Sequence, residues 1–162
     1  MSDKAENSES PPISNMDPEE VGRFNAIADR WRDVDGPARA LHWMNPARIR
    51  FILDQVGSRR SADSLTGPLT RSLTGPLKGA KILDVGCGGG LLAEPLARLG
   101  GGVTAIDPAE RAIETAGRYA AAADLDIDYQ AVGLEQWTAL NPDRLYDLIT
   151  ASEVIEHIPD PG

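Results

Sequence analysis

Residues 80–90, AKILDVGCGGG, decide how the rest of the chain is read. The first seven are an apolar run of strand length, interrupted by Lys81 and Asp84. Such a run reads as a buried strand. It leads straight into Gly86, Gly88, Gly89 and Gly90. Glycines let a backbone turn tightly and approach a ligand closely. LLAEPLARLG (91–100) then has helical spacing and ends at Gly100. A helix start at that point offers free N–H groups and partial positive charge to an anionic group. Pro95 lacks an N–H, which predicts that this helix starts late or bends.

The same alternation continues downstream. GVTAID (102–107), DIDYQAV (126–132) and YDLITAS (146–152) read as three further strands, and AERAIETAGRYAAAA (109–123) as a helix. Strands alternating with helices predict parallel βαβ units, hence an α/β doubly wound sheet. Asp107 ends the second strand, 21 residues after Gly86. A carboxylate there can accept two hydrogen bonds from a ribose diol. DPAE (107–110) also reads as a helix cap. The dinucleotide pattern G-x-G-x-x-G fits poorly, because Leu91 stands where its third glycine belongs. Asp84, two residues before the loop, would repel a pyrophosphate. It suits a ligand carrying positive charge, such as the amino group and sulfonium of S-adenosylmethionine.

Upstream, NMDPEEVGRFNAIADRW (15–31) opens a helix with Asp17 as N-cap, Pro18 at N1 and Glu20 completing a capping box. Val21, Phe24, Ala28 and Trp31 share one face. RDVDGP (32–37) breaks it. NPARIRFILDQVG (45–57) opens a second helix, with Asn45 as cap and Gly57 as stop. SLTGPL occurs twice, at 64–69 and 72–77, and its Gly-Pro pairs mark a linker without assigned chemistry. The divisions are a polar disordered tail (1–16), a helical segment (17–57), a linker (58–78) and the α/β part (79–162).

Bulk properties narrow the function. The 162 residues are one domain's worth of chain or less, 41% apolar and only 5% aromatic, so the core must be aliphatic. The net charge of −9 divides as −5 over residues 1–20, +4 over 21–60 and −8 over 61–162. An acidic body argues against nucleic-acid binding. The single cysteine, Cys87, allows no internal disulfide and fits a reducing compartment. No apolar run approaches the ~20 residues of a membrane span, and the N-terminus has no signal-peptide core. A cytoplasmic location is expected.

LDVGCGGG (83–90) resembles the first motif of class I S-adenosylmethionine-dependent methyltransferases, and AIDP (105–108) resembles their ribose-binding acid. With FNAIADRWRDVDGPARALHWMNPARIRFI (24–52) and EVIEHIPDP (153–161), the chain resembles the ubiquinone-biosynthesis O-methyltransferase (UbiG) family. The likeness covers about residues 17–57 and 79–161. It implies a Rossmann-like class I methyltransferase sheet preceded by N-terminal helices. It also implies that Arg48 contacts the cofactor, where a guanidinium suits the methionine carboxylate. Gly86, Asp107 and Ser152 correspond to other cofactor contacts, beside Asp84 and Gly88 of the loop. The chain departs from the family at WRD (31–33), where Trp-Trp-Asp is usual, at AVGLEQW (131–137), where Leu134 and Glu135 stand in the adenine-receiving segment, and in the doubled SLTGPL.

In ASEVIEHIPDPG (151–162), Glu153, Glu156 and His157 fall at i, i+3 and i+4, one helical face if the segment coils. The resemblance implies that they bind a divalent cation, Mg²⁺ or alternatively Mn²⁺ or Zn²⁺. A cation can favour the phenolate of a catechol-like hydroxyl, whose nominal pKa is near ~10. Related methyltransferases carry the same run without metal; there His157 would be a general base or would simply pack. The implied activity is O-methylation of a polyprenylated phenol in ubiquinone synthesis, with transient membrane contact because the substrate is greasy. Alternatives are another small-molecule acceptor, a dinucleotide-dependent oxidoreductase, or an inactive fragment. Four strands are expected where the complete sheet has seven, so the 162 residues alone are expected to be inactive or poorly folded, with strand 146–152 an exposed edge.

Overall fold

Alternate residues of two central strands feed opposite faces of one sheet. In β1 (Lys81–Val85), Ile82 enters one core while Leu83 and Val85 enter the other. In β2 (Gly102–Asp107), Val103 and Ala105 join Ile82, and Ile106 joins Leu83 and Val85. Covered faces on both sides are what a parallel sheet needs. The computed structural model describes residues 15–63 and 75–159, and its sheet is completed by β3 (Ile127–Ala131) and β4 (Leu148–Ala151). All pairings are parallel and the order is β3-β2-β1-β4. The chain moves outward from β1 and then returns to its other side. That order creates a switch point at the carboxyl ends of β1 and β4, where doubly wound sheets place their ligands.

The helices follow from the same pattern. Leu92 and Leu96, from α3 (Ala93–Arg98) and the turn before it, and Ile113 of α4 (Glu110–Ala122) cover the Ile82 face. Trp137 of α5 (Leu134–Leu140) covers the other. α3 starts late, as Pro95 predicts: the proline sits in the first turn, where no intrahelical N–H is required. α5 was not anticipated, because seven residues are too few to show a period.

α1 (Pro18–Ile27) begins as expected, with the Asp17 carboxylate accepting the Glu19 amide at 2.8 Å. Glu20 does something else. Its two oxygens engage Arg23 and His157. α2 (Arg39–Asp63) corrects the expected helix at both ends. It starts before Pro46 and continues past Gly57. Asn45 is no cap: its amide donates to the Leu91 carbonyl at 2.6 Å. His42 Nε2 lies 2.9 Å from the Trp31 carbonyl. These anchors, with Ile49, Ile52, Leu53 and Val56 on the core, offset an interior proline that costs about 3 kcal/mol and a glycine that costs about 1 kcal/mol.

Residues 1–14, 64–74 and 160–162 lie outside the described residues, and with them all but Asn15 and Met16 of the expected tail (1–16) and most of the SLTGPL repeat. The repeat's last three residues, Gly75 to Leu77, are described: Leu77 is fully buried, and its amide donates to the Leu99 carbonyl at 3.0 Å. β4 forms one edge of the described sheet, with Ile149 exposed on it. Among the described residues no helix is long and apolar enough to cross a membrane.

Candidate functional site

β1 ends at the glycine loop, and the loop's shape depends on residues that lack a Cβ. Gly86 (φ +65°) and Gly88 (φ +50°) both adopt left-handed backbone. A Cβ on Gly86 would collide with Val154, and one on Gly88 with the Trp31 ring. The loop is therefore closed from outside by the segment after β4 and by the end of the N-terminal helical region. The loop also folds back on itself: the Gly90 amide donates to the Cys87 carbonyl at 2.9 Å, and the Glu94 amide to the Gly90 carbonyl at 3.1 Å. Burial pushes the Cys87 thiol well up from its ordinary range, so it is no nucleophile.

Asp107 fastens the loop from the next strand. One carboxylate oxygen accepts the Gly88 amide and the other the Ala109 amide, both at 2.8 Å. Asp107 is not the helix cap that DPAE suggests: Ala109 is the N-cap residue of α4 and makes no side-chain cap bond, and the first-turn Arg111 amide donates to Asn25 Oδ1 at 3.0 Å instead. Each Asp107 oxygen keeps a further lone pair, so a diol can still be accepted. Burial raises the Asp107 pKa, and the two amide bonds pull it back.

Asp84 is the most enclosed carboxylate, 2% exposed. Its Oδ1 accepts the Thr150 hydroxyl at 2.7 Å, while Oδ2 has no hydrogen-bond partner. Burial pushes its pKa up to about 7; Thr150 opposes this, Asp107 adds to it and Arg48 opposes it. A buried acceptor without a partner, on a residue that lines a cavity, suits a cationic group.

A cavity of about 370 Å³ lies over these groups. Arg48 of α2 borders it on one side, and Ser152, Glu153, Glu156 and His157 after β4 on another. Leu134 and Glu135 of α5 border it as well. Arg48 donates to Glu153 Oε1 at 2.8 Å. The fold thus brings the expected cofactor residues Arg48, Asp84, Gly86, Gly88, Asp107 and Ser152 to one cavity.

The expected metal set is a different matter. Among the described residues, no group of three or more His, Cys, Asp or Glu side chains is arranged to hold an ion. The segment is a 3-10 turn over Ile155–His157 rather than an α-helix, and Glu153 precedes it with φ +58°. Three residues per turn do not align i, i+3 and i+4 as 3.6 do. Glu153 is paired with Arg48 and His157 with Glu20. The three side chains do not fit a shared cation.

Sequence reasoning missed two contributors. Glu20 Oε2 lies 3.0 Å from His157 Nδ1, and the Phe24 ring meets the imidazole edge-on at 5.1 Å. Thr150 was read only as a strand residue. No local signal marks either pairing, since the partners are 137 and 66 residues apart.

Residues 82–162 match the family model described as Methyltransferase domain. The chain is 47% identical over 148 residues to the ubiquinone biosynthesis O-methyltransferase of Methylocella silvestris, covering 91% of this chain and 56% of that protein. It is 44% identical over 151 residues to the protein of the same name from Caulobacter vibrioides, covering 93% and 57%. The chain therefore spans about half the length of the curated relatives it matches. Among solved structures, it is similar to magnesium protoporphyrin IX methyltransferase from Synechocystis PCC 6803 with bound SAM. The TM-score is 0.52 at 22% identity, covering 90% of this chain and 67% of that one. The same enzyme with bound SAH gives 0.50 at 23% identity, covering 81% and 55%. These structural likenesses concern the fold, a class I methyltransferase sheet.

Proposed function

The chain belongs to the methyltransferase-domain family, and from that premise we propose that it carries the cofactor site of an S-adenosylmethionine-dependent O-methyltransferase. The acceptor is a phenolic hydroxyl of a polyprenylated intermediate in ubiquinone biosynthesis, the pathway named for its relatives. One observation carries the reading: a single cavity is lined by Asp84, whose Oδ2 is buried without a partner, by Arg48 and by Asp107, around a glycine loop. That donor and acceptor pattern complements an amino acid joined to a ribose.

When bound, S-adenosylmethionine supplies an electrophilic methyl on sulfur. Arg48 holds the methionine carboxylate with charge-assisted bonds. Asp84 accepts from the ammonium, and Asp107 accepts from the ribose diol. Gly86 and Gly88 allow the backbone to come close, while Ser152, Leu134 and Glu135 border the remainder. His157 is the general base: with Nδ1–H donating to Glu20, its lone pair lies on Nε2 and takes the proton of the acceptor hydroxyl. Trp31 and Phe24 exclude water from that side. No step is assigned to a divalent cation, since the residues implied as its ligands do not converge. A greasy acceptor requires transient contact with the inner face of the membrane by an otherwise cytoplasmic enzyme, and the acidic chain has no use for nucleic acid.

Calorimetric titration with S-adenosylmethionine and with NAD tests the reading. Binding of the first and none of the second is expected. Heat from NAD with none from S-adenosylmethionine overturns it.

A further inference from the structure

Arg48 is the only guanidinium or ammonium side chain bordering the cavity among the described residues. Among the described residues seven carboxylates border the same cavity, Asp84 and Asp107 among them. An incoming ligand with its own carboxylate therefore has one cationic side chain to meet, and that one is engaged. Arg48 Nη2 donates to Glu153 Oε1 at 2.8 Å, across 105 residues of chain. The guanidinium is largely covered, with 19% of its side chain exposed, whereas the Glu153 side chain is 47% exposed. Glu153 makes the contact from a φ of +58°, a backbone region that residues with a Cβ rarely occupy. It directly follows Ser152 at the carboxyl end of β4, the switch-point side of the sheet.

We infer that Glu153 is an internal stand-in for the ligand's carboxylate, holding Arg48 until a carboxylate-bearing cofactor displaces it. This rests on reading Arg48 as the cofactor's carboxylate partner. The physical basis is exchange. A covered guanidinium left without a partner is costly, so Glu153 stabilises the ligand-free state. Binding then replaces one carboxylate by another and gains less than it would at a vacant guanidinium. The same exchange releases the Glu153 carboxylate beside the cavity, where it becomes an acceptor for a second ligand. The cofactor is therefore expected to bind before the methyl acceptor.

The test is calorimetry on the full chain with two probes. S-adenosylhomocysteine carries the carboxylate; 5′-methylthioadenosine carries the nucleoside and sulfur without it. Glu153→Gln removes the competitor and keeps the side-chain shape. Glu153→Gly removes it and also relaxes the backbone, which covers a folding defect in the first variant. S-adenosylhomocysteine is expected to bind either variant about two- to fivefold tighter than the parent, the upper part of the range for a partly exposed ion pair, with 5′-methylthioadenosine unchanged. Arg48→Gln should weaken S-adenosylhomocysteine and erase the gain from Glu153→Gln. Equal or weaker S-adenosylhomocysteine binding in the Glu153 variants overturns the exchange, as does an equal gain for both probes. A parent chain that binds neither probe overturns the cofactor reading itself, and the exchange with it.

Discussion

Asp107 and Gly88 are joined across 19 residues by a 2.8 Å bond from the glycine amide to the buried carboxylate. The bond ties the end of β2 to the loop that follows β1. One side chain therefore supports both the shape of the loop and its chemistry, and the two contributions separate on substitution.

Asp107→Ala removes acceptors from the Gly88 and Ala109 amides. A bond to a charged group contributes about 1.5–3 kcal/mol, so losing both is expected to cost about 3–6 kcal/mol in unfolding free energy. Asp107→Asn keeps one acceptor oxygen and should lose about half as much. Both variants should bind S-adenosylmethionine weakly, because the proposed ribose contact uses the carboxylate. Chemical denaturation and calorimetry on the two variants check this. An Asn variant that binds like the parent contradicts the ribose assignment.

Gly88→Ala places a methyl group into Trp31 and requires an unfavourable left-handed alanine. Overpacking together with the backbone penalty is expected to cost about 2–4 kcal/mol. Trp31, buried in the parent, should become more exposed. A red shift in tryptophan emission, absent in a Trp31→Phe background, is the readout.

Asp84 sets a pH dependence with a definite sign. Its folded pKa is pushed up to about 7, above the ordinary carboxylate value near ~4, chiefly by burial. Between those values the folded chain holds a proton that the unfolded chain has lost. The stability contribution is full below about pH 4 and is lost as pH rises through about 7. Asp107, raised in the same direction, adds to the slope. Denaturation from pH 4 to 8 should show stability falling with pH, and Asp84→Asn should flatten the slope. Affinity for the cofactor should run the other way, rising as Asp84 ionises to meet an ammonium.

Leu77 tests whether the end of the doubled SLTGPL segment belongs to the core. It is fully buried against the β1–β2 layer, and Leu77→Ala should cost about 2–5 kcal/mol. A loss within about 0.5 kcal/mol, the size expected at an exposed site, contradicts its placement.

The strand–glycine–helix start, the position of Asp107 and the Asp17 cap were legible in the sequence because each depends on neighbours within a few turns of chain. A parallel sheet buried on both faces needs continuous apolar strands, and these stand out in KILDV and GVTAID. Other features answer to partners far along the chain. α2 runs through Pro46 and past Gly57 because contacts to Trp31, Leu91 and the core outweigh local propensity. Glu153, Glu156 and His157 share no face because the chain leaves β4 through a left-handed residue into a 3-10 turn. Local periodicity shows which residues can be neighbours in one element. Only packing determines which charge meets which, as Arg48 meets Glu153 and Glu20 meets His157.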